Sequence, residues 1–161
     1  MPYRILPFIT TFLLITFGCQ SDEIVLSDND YIVFGDYYGM CIGNSCVDIY
    51  RLESNRLLAD TKKQYPNRFS FYKGNYTELS SEKFEAVKDI ANYFPQELLN
   101  IKDTTIGQPD AGDWGGFYIE YNYNGKHQFW MLDKMKSNVP TSLHAFIDKL
   151  NEKLNYLETS K

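Results

Sequence analysis

Residues 107–116, GQPDAGDWGG, gather the densest set of side chains with chemical potential in this 161-residue chain. Asp110 and Asp113 lie three apart in a glycine-rich segment, beside Trp114. Two carboxylates next to an indole have two uses. They can take a calcium ion, or they can act as an acid/base pair on a glycan stacked against the indole. The Asp-x-Asp-x-Asp-Gly series of a calcium loop is missing. There is also a plainer role: Asp closes turns through local hydrogen bonds, and Gly supplies positive φ. Long loops are often functional. Asp110, Asp113 and Trp114 are therefore the candidate binding loop, and no residue is assigned a catalytic role.

The remaining candidates are two histidines and three cysteines. His127 follows an Asn-Gly turn on the more polar face of a strand, where solvent is its expected partner. His144 falls beside Leu143, off the apolar stripe of the last helix. Neither has a Ser or Cys at a motif spacing, and GNSC lacks the Gly-x-Ser-x-Gly elbow of a serine nucleophile. Cys41 and Cys46 are separated by four residues. A thioredoxin-like site wants two between its cysteines, and zinc wants four converging ligands. No metal or cofactor is expected.

Strands and helices must position these groups. YIVFGDYYG and CVDIYRLE read as strands, the second by alternation of Val47, Ile49 and Leu52 with polar residues. RLLADT is a short continuation. RFSFYKGNYTEL reads as a hairpin turning at Lys73-Gly74-Asn75. A helix follows, with Ser80 as N-cap and Leu79 and Phe84 as a staple; it ends before Pro95. One more turn is expected at 97–100. FYIEYNYNGKHQFWML is the clearest hairpin, because Asn124-Gly125 is the preferred type I′ pair. That turn sets Tyr121 against Gln128, Ile119 against Trp130 and Phe117 against Leu132 on the core face. The other face pairs Asn122 with His127, Glu120 with Phe129 and Tyr118 with Met131. Leu143, Ile147, Leu150, Leu154 and Leu157 mark the buried stripe of a C-terminal helix, and Ile147 and Leu150 are expected against Ile119 and Trp130. The sum is an α+β domain over residues 31–158: a mainly antiparallel sheet of five to six strands packed on one face by two helices.

The N-terminus is of another kind. Arg4 is the only charge before Asp22, and residues 5–17 are apolar apart from Pro7 and three threonines. That run of about 13 residues is shorter than the roughly 20 needed to span a bilayer. A basic start, an apolar middle and a small residue at the end have the layout of a secretory signal peptide. The stretch ITFGC resembles the lipobox of bacterial lipoprotein precursors, and CQSDE resembles the acidic signal of surface-exported Gram-negative lipoproteins. The resemblance implies that residues 1–18 are removed. It also implies that Cys19 becomes an acylated first residue and that residues 19–30 tether the domain to the outer membrane, facing periplasm or cell surface. Acyl chains add roughly 0.8 kcal/mol per buried methylene, so two or three hold firmly.

With Cys19 set apart for lipid, Cys41 and Cys46 are an even pair in an oxidising compartment, and a disulfide is expected. If the two flanking strands form a hairpin with IGNS as its loop, these cysteines face each other. The full chain carries 16 basic and 21 acidic residues; loss of Arg4 with the leader takes the net charge from −5 to −6. Such a domain lacks the basic footprint of a nucleic-acid binder. Aromatics make up 16% of the chain, 13 of them Tyr. They fit strand and half-buried positions, or an aromatic surface for sugar or protein. The expected role is a lipid-anchored module that binds protein or glycan. An enzyme acting on envelope polysaccharide through Asp110 and Asp113, or a structural subunit of an outer-membrane complex, is the alternative.

Overall fold

The computed structural model describes residues 24–43 and 45–160; the expected leader and Cys19 lie outside them. Seven strands form one sheet: β1 (Tyr31–Tyr37), β2 (Val47–Leu52), β3 (Leu57–Asp60), β4 (Tyr76–Glu78), β5 (Thr105–Ile106), β6 (Gly116–Tyr123) and β7 (Lys126–Asp133). Their order is β4-β3-β2-β1-β6-β7-β5. Only the β5–β7 pair is parallel. Two α-helices, α1 (Ser81–Val87) and α2 (His144–Thr159), complete an α+β architecture. β4 is the expected second arm of RFSFYKGNYTEL, whereas β5, of two residues, is too short to leave a periodic signal.

The β6–β7 hairpin adopts the register that its turn dictates. Ile119 pairs with Trp130, Tyr121 with Gln128 and Glu120 with Phe129. Asn124 and Gly125 both have positive φ, at 51° and 76°, as a type I′ turn demands. On one face Phe117, Ile119, Tyr121, Trp130 and Leu132 join Ile147, Leu150 and the rest of the α2 stripe in a single buried cluster. Phe94 stacks on Tyr121 at 4.5 Å and meets Phe146 edge-on at 5.7 Å, so rings knit helix to sheet. Lys153 of α2 donates to the Ala86 carbonyl at 2.8 Å and pairs with Asp89 at 2.7 Å, satisfying the end of α1.

Several local expectations need correction. Ser80 precedes α1 in extended conformation, but its side chain makes no capping bond. The helix then tightens to 3-10 form over Lys88–Tyr93, and Pro95 bars its continuation. Residues 68–75 are not a hairpin arm. Asp60, buried at the end of β3, captures this segment instead: its carboxylate accepts from the amides of Lys62, Lys63 and Asn75 and from the Tyr72 hydroxyl, at 2.6–3.1 Å. Segment 61–75 is thereby laid across the second face of the sheet. There Tyr72 approaches Tyr118 and Phe71 approaches Phe129, beside the smaller core of Val33, Tyr37, Ile49 and Met131.

The tether also ends earlier than expected. Ile24 and Leu26 pack on the helix-side core, and neither belongs to a strand. The Asp30 carboxylate closes a turn by accepting from the Ser27 amide and hydroxyl, then accepts from the Asn124 amide at the hairpin tip. Gly35 is needed at the sheet centre: a Cβ there would lie 2.1 Å from the Asp48 carbonyl oxygen.

Candidate functional site

The loop that follows β5 is braced rather than free. Its first residues are held by Asp133, whose buried carboxylate accepts from the Gln108 amide at 2.9 Å and from the Asn138 and Met135 nitrogens at 2.8 Å. Asp110 closes the far side. Its Oδ1 accepts from the Gly115 amide at 3.0 Å, its own amide donates to the Gly115 carbonyl at 2.9 Å, and its Oδ2 accepts from the Tyr65 hydroxyl at 2.8 Å. Asp110 is thus a turn-closing brace, the role local chemistry favours. Both Asp110 and Asp113 have positive φ, 63° and 62°. Asp113 is exposed, and Trp114 stands 59% exposed beside it. Burial, followed by the bond to Asp110, pushes the Tyr65 hydroxyl up to about 12.

The disulfide loop lies against this brace. Cys41 and Cys46 are bridged, with Cα atoms 5.5 Å apart. They are not opposed strand residues, however. β1 and β2 end their pairing at Tyr37–Val47, and the Tyr38 amide donates to Cys46, so Cys41 lies beyond the ladder in a longer loop. A Cβ on Gly39 would fall 2.2 Å from Asp110 Oδ2, which shows how closely the two loops approach. Met40, Ile42 and Trp114 are 80%, 102% and 59% exposed at this end of the sheet. The sequence-predicted residues therefore converge: the disulfide and the candidate loop form one rim, with Tyr65 beneath it.

Sequence reasoning missed a second cluster, on the sheet face away from the helices. Glu120 is 3% exposed. Its Oε2 accepts from the Tyr118 hydroxyl at 2.6 Å, and its Oε1 lies 3.2 Å from the Tyr31 hydroxyl and 2.9 Å from His127 Nε2. Burial and then the Glu120 charge push both tyrosines up, so they stay protonated and keep donating. Phe71 stacks on the His127 ring at 3.7 Å, and the Arg51 guanidinium sits 3.8 Å above the Tyr31 ring. His127 is exposed, as the turn position suggested, and its ring is also held by a carboxylate and an aromatic face. The alternation of β6 places Glu120 and Asn122 on that face; Phe71, from a segment without periodicity, and Tyr31 and Arg51, brought there by the β1–β6 and β1–β2 pairings, were beyond reach. His144 Nε2 donates to the Lys136 carbonyl at 2.8 Å.

A polar cavity of about 120 Å³ lies near the end of α2. Asp36 and Asp48 face each other across β1 and β2, an arrangement that repels. Each has its own lysine: Lys134 lies 2.8 Å from Asp36, and Lys63 contacts Asp48. Among the described residues no group of three His, Cys, Asp or Glu side chains is arranged to hold a metal, and no helix is long and apolar enough to cross a membrane.

No family model matches this chain, and neither does any curated protein or solved structure.

Proposed function

We propose that this chain is a lipid-anchored envelope lipoprotein, held through Cys19, whose rim of Met40, Ile42 and Trp114 binds a protein partner. The single observation that carries the binding reading is the exposure of these three large apolar residues on loops held by a disulfide and the Asp110 brace. Exposed apolar side chains on a braced scaffold lose little freedom on binding, which favours a contact surface. Two aliphatic side chains beside one indole suit a protein surface better than a sugar, which needs aromatic faces with polar groups around them.

The anchor reading supports the direction of this surface. Cys19 precedes Ile24 by five residues, a reach of at most about 18 Å. Ile24 lies near Leu52, whose partner Ile32 is the second residue of β1, while the rim follows the other end of β1 at Tyr37. The five steps from Ile32 to Tyr37 separate the two by roughly 17 Å. A chain anchored at Cys19 is attached at the end of β1 opposite the rim.

The test is a photo-crosslinking amino acid placed at Ile42, at Trp114 and, as a control, at Thr77 in intact cells, with Cys19→Ala as a separate arm. A protein adduct at the first two positions but not at the third is expected, and the Cys19→Ala chain should leave the membrane fraction. Equal capture at Thr77, or capture of glycan alone, would overturn the binding reading. A Cys19→Ala chain that keeps its size and membrane fraction would overturn the anchor.

A further inference from the structure

The geometry points to a second interaction surface: the open edge of β7 at His127 and Phe129, which accepts an extended, acidic peptide strand from a partner protein. β7 is covered on its outer side only at its end, where Thr105 and Ile106 pair with Met131 and Leu132. The Met131 amide donates outward to the Thr104 carbonyl at 2.7 Å. In an antiparallel ladder, residues alternate between bonding the neighbour and turning their amide and carbonyl away. Met131 turns outward, so Phe129 and His127 do too, while Trp130, Gln128 and Lys126 bond to β6. The two-residue turn requires the same phase, since Tyr123 and Lys126 flank it as a bonded pair. Among the described residues, no backbone bond reaches the outward groups of His127 and Phe129.

These two amides and two carbonyls are spaced to receive one extended strand, the chemistry of β-strand addition. Side-chain surroundings specify which strand. A groove of about 180 Å³ runs along this edge, lined by Phe71, Ile101, Lys102, Thr104, Phe129 and Trp130 among others. It has room for one large apolar side chain. Lys102 lines it, Lys126 begins the open stretch, and no carboxylate is among its lining residues. The nearby Glu120 is occupied by Tyr118 and His127. An incoming strand with an apolar residue at its centre and acidic residues on either side therefore complements the edge in backbone, shape and charge. Lys126 and Lys102 also discourage a second copy of this chain, because two such edges would bring lysines together.

The probe is a capped synthetic heptapeptide alternating Glu and Val with Leu at its centre. It is added to the full-length chain in detergent, and amide hydrogen exchange is followed by NMR. Protection of the His127 and Phe129 amides by about tenfold or more is expected, with the Gln128 and Trp130 amides unchanged. His127→Pro removes one outward donor at an edge position where proline is tolerated, and it should abolish binding; His127→Ala should retain it. Lys102→Glu should weaken the acidic probe about threefold and favour a probe with Lys in place of Glu. Absence of protection at millimolar probe, or binding indifferent to His127→Pro, would overturn the inference. Protection of the same amides by rising protein concentration alone would overturn it in favour of a second copy.

Discussion

The Tyr65 hydroxyl donates to Asp110 across 45 residues of sequence, and this bond joins the segment covering the second sheet face to the rim. Tyr65→Phe removes it while keeping the ring that meets Tyr37 edge-on at 4.9 Å. The expected loss is about 1 kcal/mol, as for an ordinary hydrogen bond, read as a lower melting temperature. The pH dependence has a defined sign. The folded-state value of Tyr65 is raised from 10.0 to about 12, so its contribution is full below pH 10 and is lost as pH rises towards 12. The wild-type advantage over Tyr65→Phe should therefore shrink across that window in paired denaturant melts. An advantage that is constant or grows with pH would refute the assignment.

Reduction of the Cys41–Cys46 bridge should lower the melting temperature without unfolding the domain. Its sequence separation is only 5, and a loop this short contributes about 2 kcal/mol in the chain-entropy view. Alkylation of the unreduced protein should label neither cysteine, and melts with chelator should match those without. Two labelled thiols would contradict the bridge.

Asp60 should be the costliest polar position on the second face. Burial alone would raise its carboxyl, but the bonds from Tyr72, Asn75, Lys62 and Lys63 outweigh burial and hold it below its ordinary 3.8. Asp60→Ala leaves those donors without an acceptor and should cost on the order of 3 kcal/mol. Because the folded value is depressed, this contribution is present above pH 3.8 and lost as pH falls through the lower folded value. Urea melts of wild type and Asp60→Ala should therefore converge in acid; a gap that persists at the lowest pH would refute the account.

Ile147→Asp should abolish cooperative folding. Ile147 is fully buried among Ile119, Trp130 and Leu150, and nothing there pairs a carboxylate. An uncompensated buried charge is worth several kcal/mol, most of a domain's stability. A cooperative thermal transition near that of wild type would overturn the packing assignment.

The sequence was most informative where local rules act alone. Asn124-Gly125 determines every pairing of β6 with β7, and the leucine stripe of α2 selects its buried face. Segment 61–75 was illegible because its placement depends on one carboxylate, Asp60, gathering donors from 2 to 15 residues away. The site was half legible. Asp110 and Trp114 stand out by composition, and Cys41 and Cys46 by parity. Their meeting at one rim depends on β1 and β6 lying side by side, a pairing with no local signature.

That β1–β6 pairing also governs how the chain assembles. Strands β4 to β1 are joined by neighbour-to-neighbour links, and β6 and β7 by a two-residue turn, so each half of the sheet can form from nearby sequence. Only the β1–β6 junction brings together residues such as Phe34 and Ile119, 85 positions apart. Closing so long a loop carries an entropic cost before any contact offsets it, and this sets the pace of such topologies. Substitutions along the junction, Ile119→Val for example, should slow folding more than they speed unfolding, a split visible in the two arms of a chevron plot. A nascent chain cannot complete its core until residues 116–123 are available, and until then the inner edge of β1 stays open to the wrong partner.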